Sequence, residues 1–177
     1  ATIFSVDRVN RQIYSRNFKS EKVEEIRLDI SPKSLAGFVA VSGKTLNIAN
    51  AYNKEELAQY HPGLIIDHTW DQKTNFRTKS ALALALPHNK KLMGVLELLN
   101  KQGADRFTEE DVRLAKELSS VLGMALVKIA IEDIQEKLIS TSHAIHSAQS
   151  IDEILLTLKT PILQMFDASH VTIYAVD

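Results

Sequence analysis

Ser34-Leu35-Ala36-Gly37 sets a capping serine before a short apolar run that Gly43 closes, so Leu35 and Ala36 fall in the first turn of a helix. There the backbone N–H groups and the helix dipole favour a negative ligand, although every helix has such an end. Asp71, Thr74 and Thr78 put a carboxylate and two hydroxyls into one polar stretch. The carboxylate accepts hydrogen bonds and each hydroxyl donates or accepts, but the same residue types are ordinary in loops. Glu97 interrupts the apolar run that ends at Leu99, and the two-residue period of a strand puts it on one face with Val95 and Leu99. Two placements are open: a solvent-facing carboxylate, or an inward one that needs a partner. Among the six histidines, His143 and His146 share a helical face without the carboxylate or cysteine that would complete a metal site. With no glycine-rich phosphate loop, Ser-His-Asp arrangement or paired acid motif, the chain reads as a non-enzyme without a metal.

Those groups need a framework, and the composition supplies one. The chain has 177 residues, 45% apolar and 24% charged, which suits a soluble globular domain with one real core. A formal net charge of −1 gives no field to draw nucleic acid or an anionic membrane. The absence of cysteine excludes disulfides, zinc–thiolate sites and thiol catalysis. No apolar run approaches the roughly 20 residues of a membrane span, and the expectation is a cytoplasmic protein.

Alternation predicts a hairpin over Thr2–Val6 and Gln12–Tyr14, a strand over Glu25–Ile30, a helix from Leu35, and a short strand over Thr45–Ile48. A helical turn over Lys54–Gln59 and strands over Ser80–Leu86 and Lys91–Asn100 follow. Thr108 to Asp111 reads as a capping box opening a long helix, along which Val112, Ala115, Leu118, Leu122, Ala125 and Ile129 step by three or four. Such a stripe predicts a partner helix or a second subunit. Ile151–Phe166 reads as an amphipathic helix interrupted near Pro161, and His170–Val176 as a strand. Thr2 to Asp7 and Thr172 to Asp177 agree at four of six positions, the mark of a tandem repeat. The chain is therefore expected to be a fragment.

Leu35-Ala36-Gly37 with Gly43, the run Asn47 to Tyr52, the run Asp71 to Thr78, and Gly94 to Lys101 with Phe107 and Asp111 occur in order. Together they resemble the GAF domains of cyclic-nucleotide phosphodiesterases and related adenylyl cyclases. Asn75 stands where that family has glycine, and Val112 where it has a final glutamate. The resemblance implies an α+β fold: a sheet of about six antiparallel strands with helices on one face, a ligand pocket on the other, and a long helix after it. It divides the chain into a GAF domain lacking its opening helix (1–130), a connecting helix (131–150), and the opening helix and first strand of a second GAF domain (151–177).

The resemblance also implies the roles. Leu35 and Ala36 meet a phosphate through their backbone, Asp71, Thr74 and Thr78 close over the nucleotide, and Glu97 reads its base. Lys101 and Asp111 pair as a structural clip, with Asn100 and Phe107 ordering the same loop. The implied ligand is cyclic GMP or cyclic AMP. The implied partners are a second copy through the helices and an output domain in the same polypeptide, with no nucleic acid and no membrane contact. The competing reading is a ligand-free GAF domain kept for dimerisation and relay.

Overall fold

The structure is a computed structural model that describes residues 1–19, 22–66, 77–147, 150–166, 168–172 and 174. Along the chain run β1 (Thr2–Asp7), β2 (Gln12–Lys19), β3 (Lys22–Asp29), α1 (Leu35–Ser42), β4 (Leu46–Ile48) and α2 (Lys54–Tyr60). After them come β5 (Ala81–His88), β6 (Lys91–Leu99), α3 (Glu109–Ser147) and α4 (Ile151–Phe166). The strands form one antiparallel sheet in the order β3-β2-β1-β6-β5-β4, so the fold is α+β. Contacts divide the chain into a unit of Ala1–Val127, which holds the sheet, and a helical unit of Lys128–Asp177.

β5 sets the two faces of the sheet. Its sequence alternates Ala81, Ala83 and Ala85 with Leu82, Leu84 and Leu86, and strand geometry sends the two sets to opposite sides. The alanines join Phe4, Ile13, Leu46, Ile48 and Val95 in a core under α1 and α2, contributed to by Leu35, Phe38, Val39 and Leu57. The leucines join Leu96, Phe107 and Ala115 in a second core, on which Val112, Leu122 and Leu126 of α3 pack. Small residues on one side let α1 lie close; large ones on the other fill the wider gap beneath a long helix.

Local signals fix the ends of these elements. Ser34 caps α1 by accepting from the Gly37 N–H at 3.1 Å, and Gly43 closes it with φ of 68°. Asn53 accepts from Glu55 and Glu56 at the start of α2. Asn89 and Lys90, with φ of 48° and 62°, make the two-residue turn between β5 and β6. Two glycines are required by close approach. A Cβ on Gly94 of β6 would meet the Phe4 carbonyl and, at 2.6 Å, Leu126 of α3, while one on Gly123 of α3 would strike the Pro87 carbonyl.

The stripe expected along the long helix divides in two. Val112, Ala115 and Leu122 pack on the sheet, whereas Leu118 and Ile129 are exposed. From Ala115 a step of three and a step of four diverge around the helix, and the sheet takes the buried Ser119, not Leu118. A second apolar face of Leu114, Leu118, Val121 and Met124 is left exposed. Pro161 does not interrupt α4, which runs unbroken through it. An interior proline costs about 3 kcal/mol, and here buried Leu158 with part-buried Ile162 and Met165 lies on both sides of it to offset that. Of the strand expected at His170–Val176, residues 170–172 and 174 lie in no strand, because a strand exists only through a ladder partner; the others fall outside the described residues. None of the described helices is long and apolar enough to cross a membrane.

Gly37 supplies a test. A Cβ there would sit 2.5 Å from the Ser31 carbonyl and 2.7 Å from that of Asp29, both backbone atoms with no room to yield. In an ordinary helix Gly→Ala is a gain of up to about 1 kcal/mol. Gly37→Ala is expected to reverse that sign, lowering stability by roughly 1–3 kcal/mol in urea unfolding.

Candidate functional site

The α1 side of the sheet collects the groups that chemistry would need. At the start of α1, Leu35 and Ala36 are buried, and their first-turn N–H groups have no partner within the helix. On β6, Glu97 lies between Val95 and Leu99, which belong to the α1 core, so its parity places it on that face. Its cross-strand neighbours are Ala83 on β5 and Thr2 on β1. A methyl group on one side and a threonine on the other leave the carboxylate partly buried. Burial pushes its carboxyl up to about 7. The N-terminal ammonium attracts it and offsets only part of that burial, and among the described residues no side chain donates a hydrogen bond to it. Of the two placements left open by the sequence, the inward one is found, without a hydrogen-bonding side chain among the described residues.

The neighbouring end of the sheet is tied by a hydrogen-bonded junction. Asn100 stands at φ of 57°, a conformation asparagine tolerates, and its side chain binds the segment before β5 twice. The Lys79 N–H donates to its Oδ1 at 2.6 Å and its Nδ2 donates to the Arg77 carbonyl at 2.9 Å. Thr78, between them, is buried. The Lys101 N–H donates to Ser80 Oγ at 3.0 Å, and the Ala51 N–H to the Lys79 carbonyl at 2.7 Å. Lys101 Nζ pairs with Asp111 Oδ1 at 2.7 Å and stands 6.0 Å from the Phe107 ring centroid. That ammonium, followed by the Thr108 N–H and hydroxyl, holds the Asp111 carboxyl at about 2. Thr108 and Asp111 also close the capping box of α3 reciprocally, at 2.7 and 3.2 Å.

Asn47, Glu56, Tyr60 and Arg106, also in this junction, are not among the expected site residues. Asn47 on β4 donates to the Phe107 carbonyl at 2.9 Å, and Tyr60 donates to the Asn47 carbonyl at 2.7 Å. Glu56 accepts from the Ala49 and Asn50 N–H groups and pairs with Arg106. Burial alone would raise the Glu56 carboxyl; these donors and Arg106 outweigh it and bring the carboxyl below its usual range. Asn47 lies in the run Asn47 to Tyr52, the one sequence signal that pointed here. A cleft of about 490 Å³ opens beside the junction between Asn50, Arg77, Lys79 and Asp105. Asp71 and Thr74, and with them Asn75, lie outside the described residues. Among the described residues no group of three His, Asp or Glu side chains could hold a metal.

The family model of the GAF domain matches residues 6–126, more than half of the chain. The chain belongs to the GAF family. A probable 3',5'-cyclic phosphodiesterase of Caenorhabditis elegans, pde-5, is 33% identical over 138 residues, 71% of this chain and 17% of that protein. A dual 3',5'-cyclic-AMP and -GMP phosphodiesterase 11 of Drosophila melanogaster is 27% identical over 93 residues, 52% of this chain and 6% of that one. The chain thus spans about a sixth or less of the length of these relatives. Among solved structures, the GAF domain of a phosphoenolpyruvate-protein phosphotransferase from Coxiella burnetii superposes with a TM-score of 0.57 at 18% identity, over 75% of this chain and 73% of that one. That likeness is one of fold.

Within this GAF domain Glu97 makes stability depend on pH. A carboxyl raised in the folded state stabilises the fold fully below its unfolded value of about 4.5, and that contribution is lost as pH rises through about 7. Allowing for partial exposure, unfolding free energy is expected to fall by about 1–2 kcal/mol across that window. Glu97→Gln should flatten the fall in denaturant titrations at matched pH.

Proposed function

We propose that this GAF domain is a regulatory sensor that binds a cyclic purine nucleotide on its α1 face, with cyclic GMP preferred over cyclic AMP, and performs no catalysis of its own. The observation that carries the reading is Glu97: a desolvated carboxylate with no donor among the described residues, on the face that α1 covers. The Watson–Crick edge of guanine offers adjacent N–H donors to an ionised carboxylate, which has only acceptors. Adenine offers one donor beside an acceptor and suits the protonated form. In this reading the Leu35 and Ala36 N–H groups take the cyclic phosphate, and Thr78, with Asp71 and Thr74, closes over the nucleotide. The phosphodiesterase relatives support the choice of ligand class.

The test is calorimetric titration of refolded protein, freed of co-purified ligand, with cyclic GMP and cyclic AMP at about pH 6 and about pH 8. Cyclic GMP affinity is expected to rise with pH while cyclic AMP affinity does not. Glu97→Gln should cost cyclic GMP about tenfold or more, roughly one charge-assisted hydrogen bond, and remove the pH dependence. Absence of heat with either nucleotide would favour the second reading, a ligand-free GAF domain serving dimerisation and relay, to which Asn75 and Val112 point.

The relay is proposed to run through a helical homodimer to an output domain elsewhere in the same polypeptide. Residues 131–150 serve as the connection in this reading, and 151–177 open a second GAF domain. Met124, Ile131, Leu138 and Ile145 recur every seven residues along α3 and are all exposed, the spacing of a coiled-coil seam. Leu122 is unsuited to testing the seam because it packs on the sheet. Ile131→Lys with Leu138→Lys is expected to convert a dimer into a monomer in sedimentation while leaving the melting of the sheet domain intact. A monomeric unmodified chain at high concentration would end the dimer proposal.

A further inference from the structure

Lys90 holds a backbone conformation that most hairpins give to glycine. Asn89 and Lys90 are the two left-handed residues of the β5–β6 turn, and glycine is the unstrained choice at the second of them. The described contacts give no local return for this choice: the Lys90 side chain is exposed and has no hydrogen bond or ion pair among the described residues.

What Lys90 does have is company. With Lys91 and Lys116 it lines a cleft of about 330 Å³ floored by Leu84, Pro87 and Leu92. Among the described residues no Asp or Glu lines that cleft. Lys91 and Lys116, like Lys90, have no ion pair among the described residues, so three cationic residues share one cleft without a counter-ion. The cleft exists because the ladder between β4 and β5 stops at Leu46↔Ala83. Beyond that pair Gly43 and Thr45 form a rim, not a further rung, and the outer edge of β5 is left open.

We infer that this cleft is a second ligand site, taking a small organic phosphate. Three lysines on one cleft match a phosphomonoester dianion better than a carboxylate or a cyclic phosphodiester, each with a single charge. Lysine is a compact point charge suited to phosphate. The apolar floor receives the organic part, as in most small-molecule sites. The cleft lies at the Gly43 end of α1, away from the Leu35 and Ala36 end, so the inference is independent of the cyclic-nucleotide reading.

The probe is phenyl phosphate, with benzoate as the singly charged control, added to the whole chain at constant ionic strength. Binding is followed by the amide NMR shifts of Gly43, Lys91 and Leu92. Saturable shifts are expected with phenyl phosphate, at about tenfold or more higher affinity than with benzoate, and Lys116→Ala should weaken them about tenfold. Lys90→Gly should weaken binding equally while leaving the melting temperature unchanged or higher, since it removes a strained residue. Shifts linear in concentration and equal for the two anions would overturn the inference. So would a Lys90→Gly protein that melts lower and binds phenyl phosphate unchanged, because the lysine would then serve only the C-terminal dipole of α1.

Discussion

Everything in the sheet domain is arranged around the alternation of β5. A strand flanked on both sides by other strands must satisfy a helix above and a helix below, and β5 does so by giving its small residues to α1 and its leucines to α3. The cores are therefore unequal. Under α3 the packing is hydrocarbon but for the buried Ser119. Under α1 the methyl groups of Ala81, Ala83 and Ala85 leave the depth in which a carboxylate on the adjacent strand is tolerated. A leucine at position 83, directly opposite Glu97, would fill that depth.

The second organising feature is the junction built by Asn100. Backbone amides of one loop are satisfied by side chains of another: Asn100 holds Arg77 and Lys79, Ser80 holds Lys101, Glu56 holds Ala49 and Asn50, and Asn47 holds Phe107. The bonds to Lys101, Ala49 and Phe107 are partly buried, where a backbone group needs such a partner. Thr78 is consequently fixed from the sheet side, so its position is not set by the neighbouring residues alone. The clip between Lys101 and Asp111 also caps the helix that leaves the domain, which couples the loop around Thr78 to the start of α3 through adjacent residues.

Much of this was legible in the sequence, for identifiable reasons. Ser34 and Gly43 are local signals with local consequences, and the helix between them is where they put it. Strand parity alone was enough to put Glu97 on one face with Val95 and Leu99; whether that face was wet or dry depended on Ala83 and Thr2, neighbours distant in sequence. The Lys101–Asp111 approach came from the resemblance, since nothing in the spacing of opposite charges implies contact. The long helix shows the limit most plainly. Apolar residues at three- and four-residue steps are compatible with either of two faces, and only the presence of the sheet separates Leu122 from Leu118. Pro161 failed as a stop signal because burial on both sides of it outweighs a lost hydrogen bond. The junction around Asn47 and Glu56 was almost invisible, because side chain to backbone bonds across dozens of residues leave no periodicity.

The pair of glycines where α3 crosses the hairpin has a mechanical meaning. Gly123 seats the helix backbone against the Pro87 carbonyl, and Gly94 accepts Leu126 from above, so each surface has a notch that the other enters. A rod seated in this way behaves like a key in a keyway: sliding along its own axis by even a fraction of a turn would drive a side chain into a carbonyl oxygen. Rolling about that axis meets the same stop, because it would turn a side chain toward the carbonyl that only Gly123 can face. The stretch of helix that holds Gly123 and Leu126 is therefore locked in register with the β5–β6 hairpin, and a shift of the hairpin carries that stretch with it.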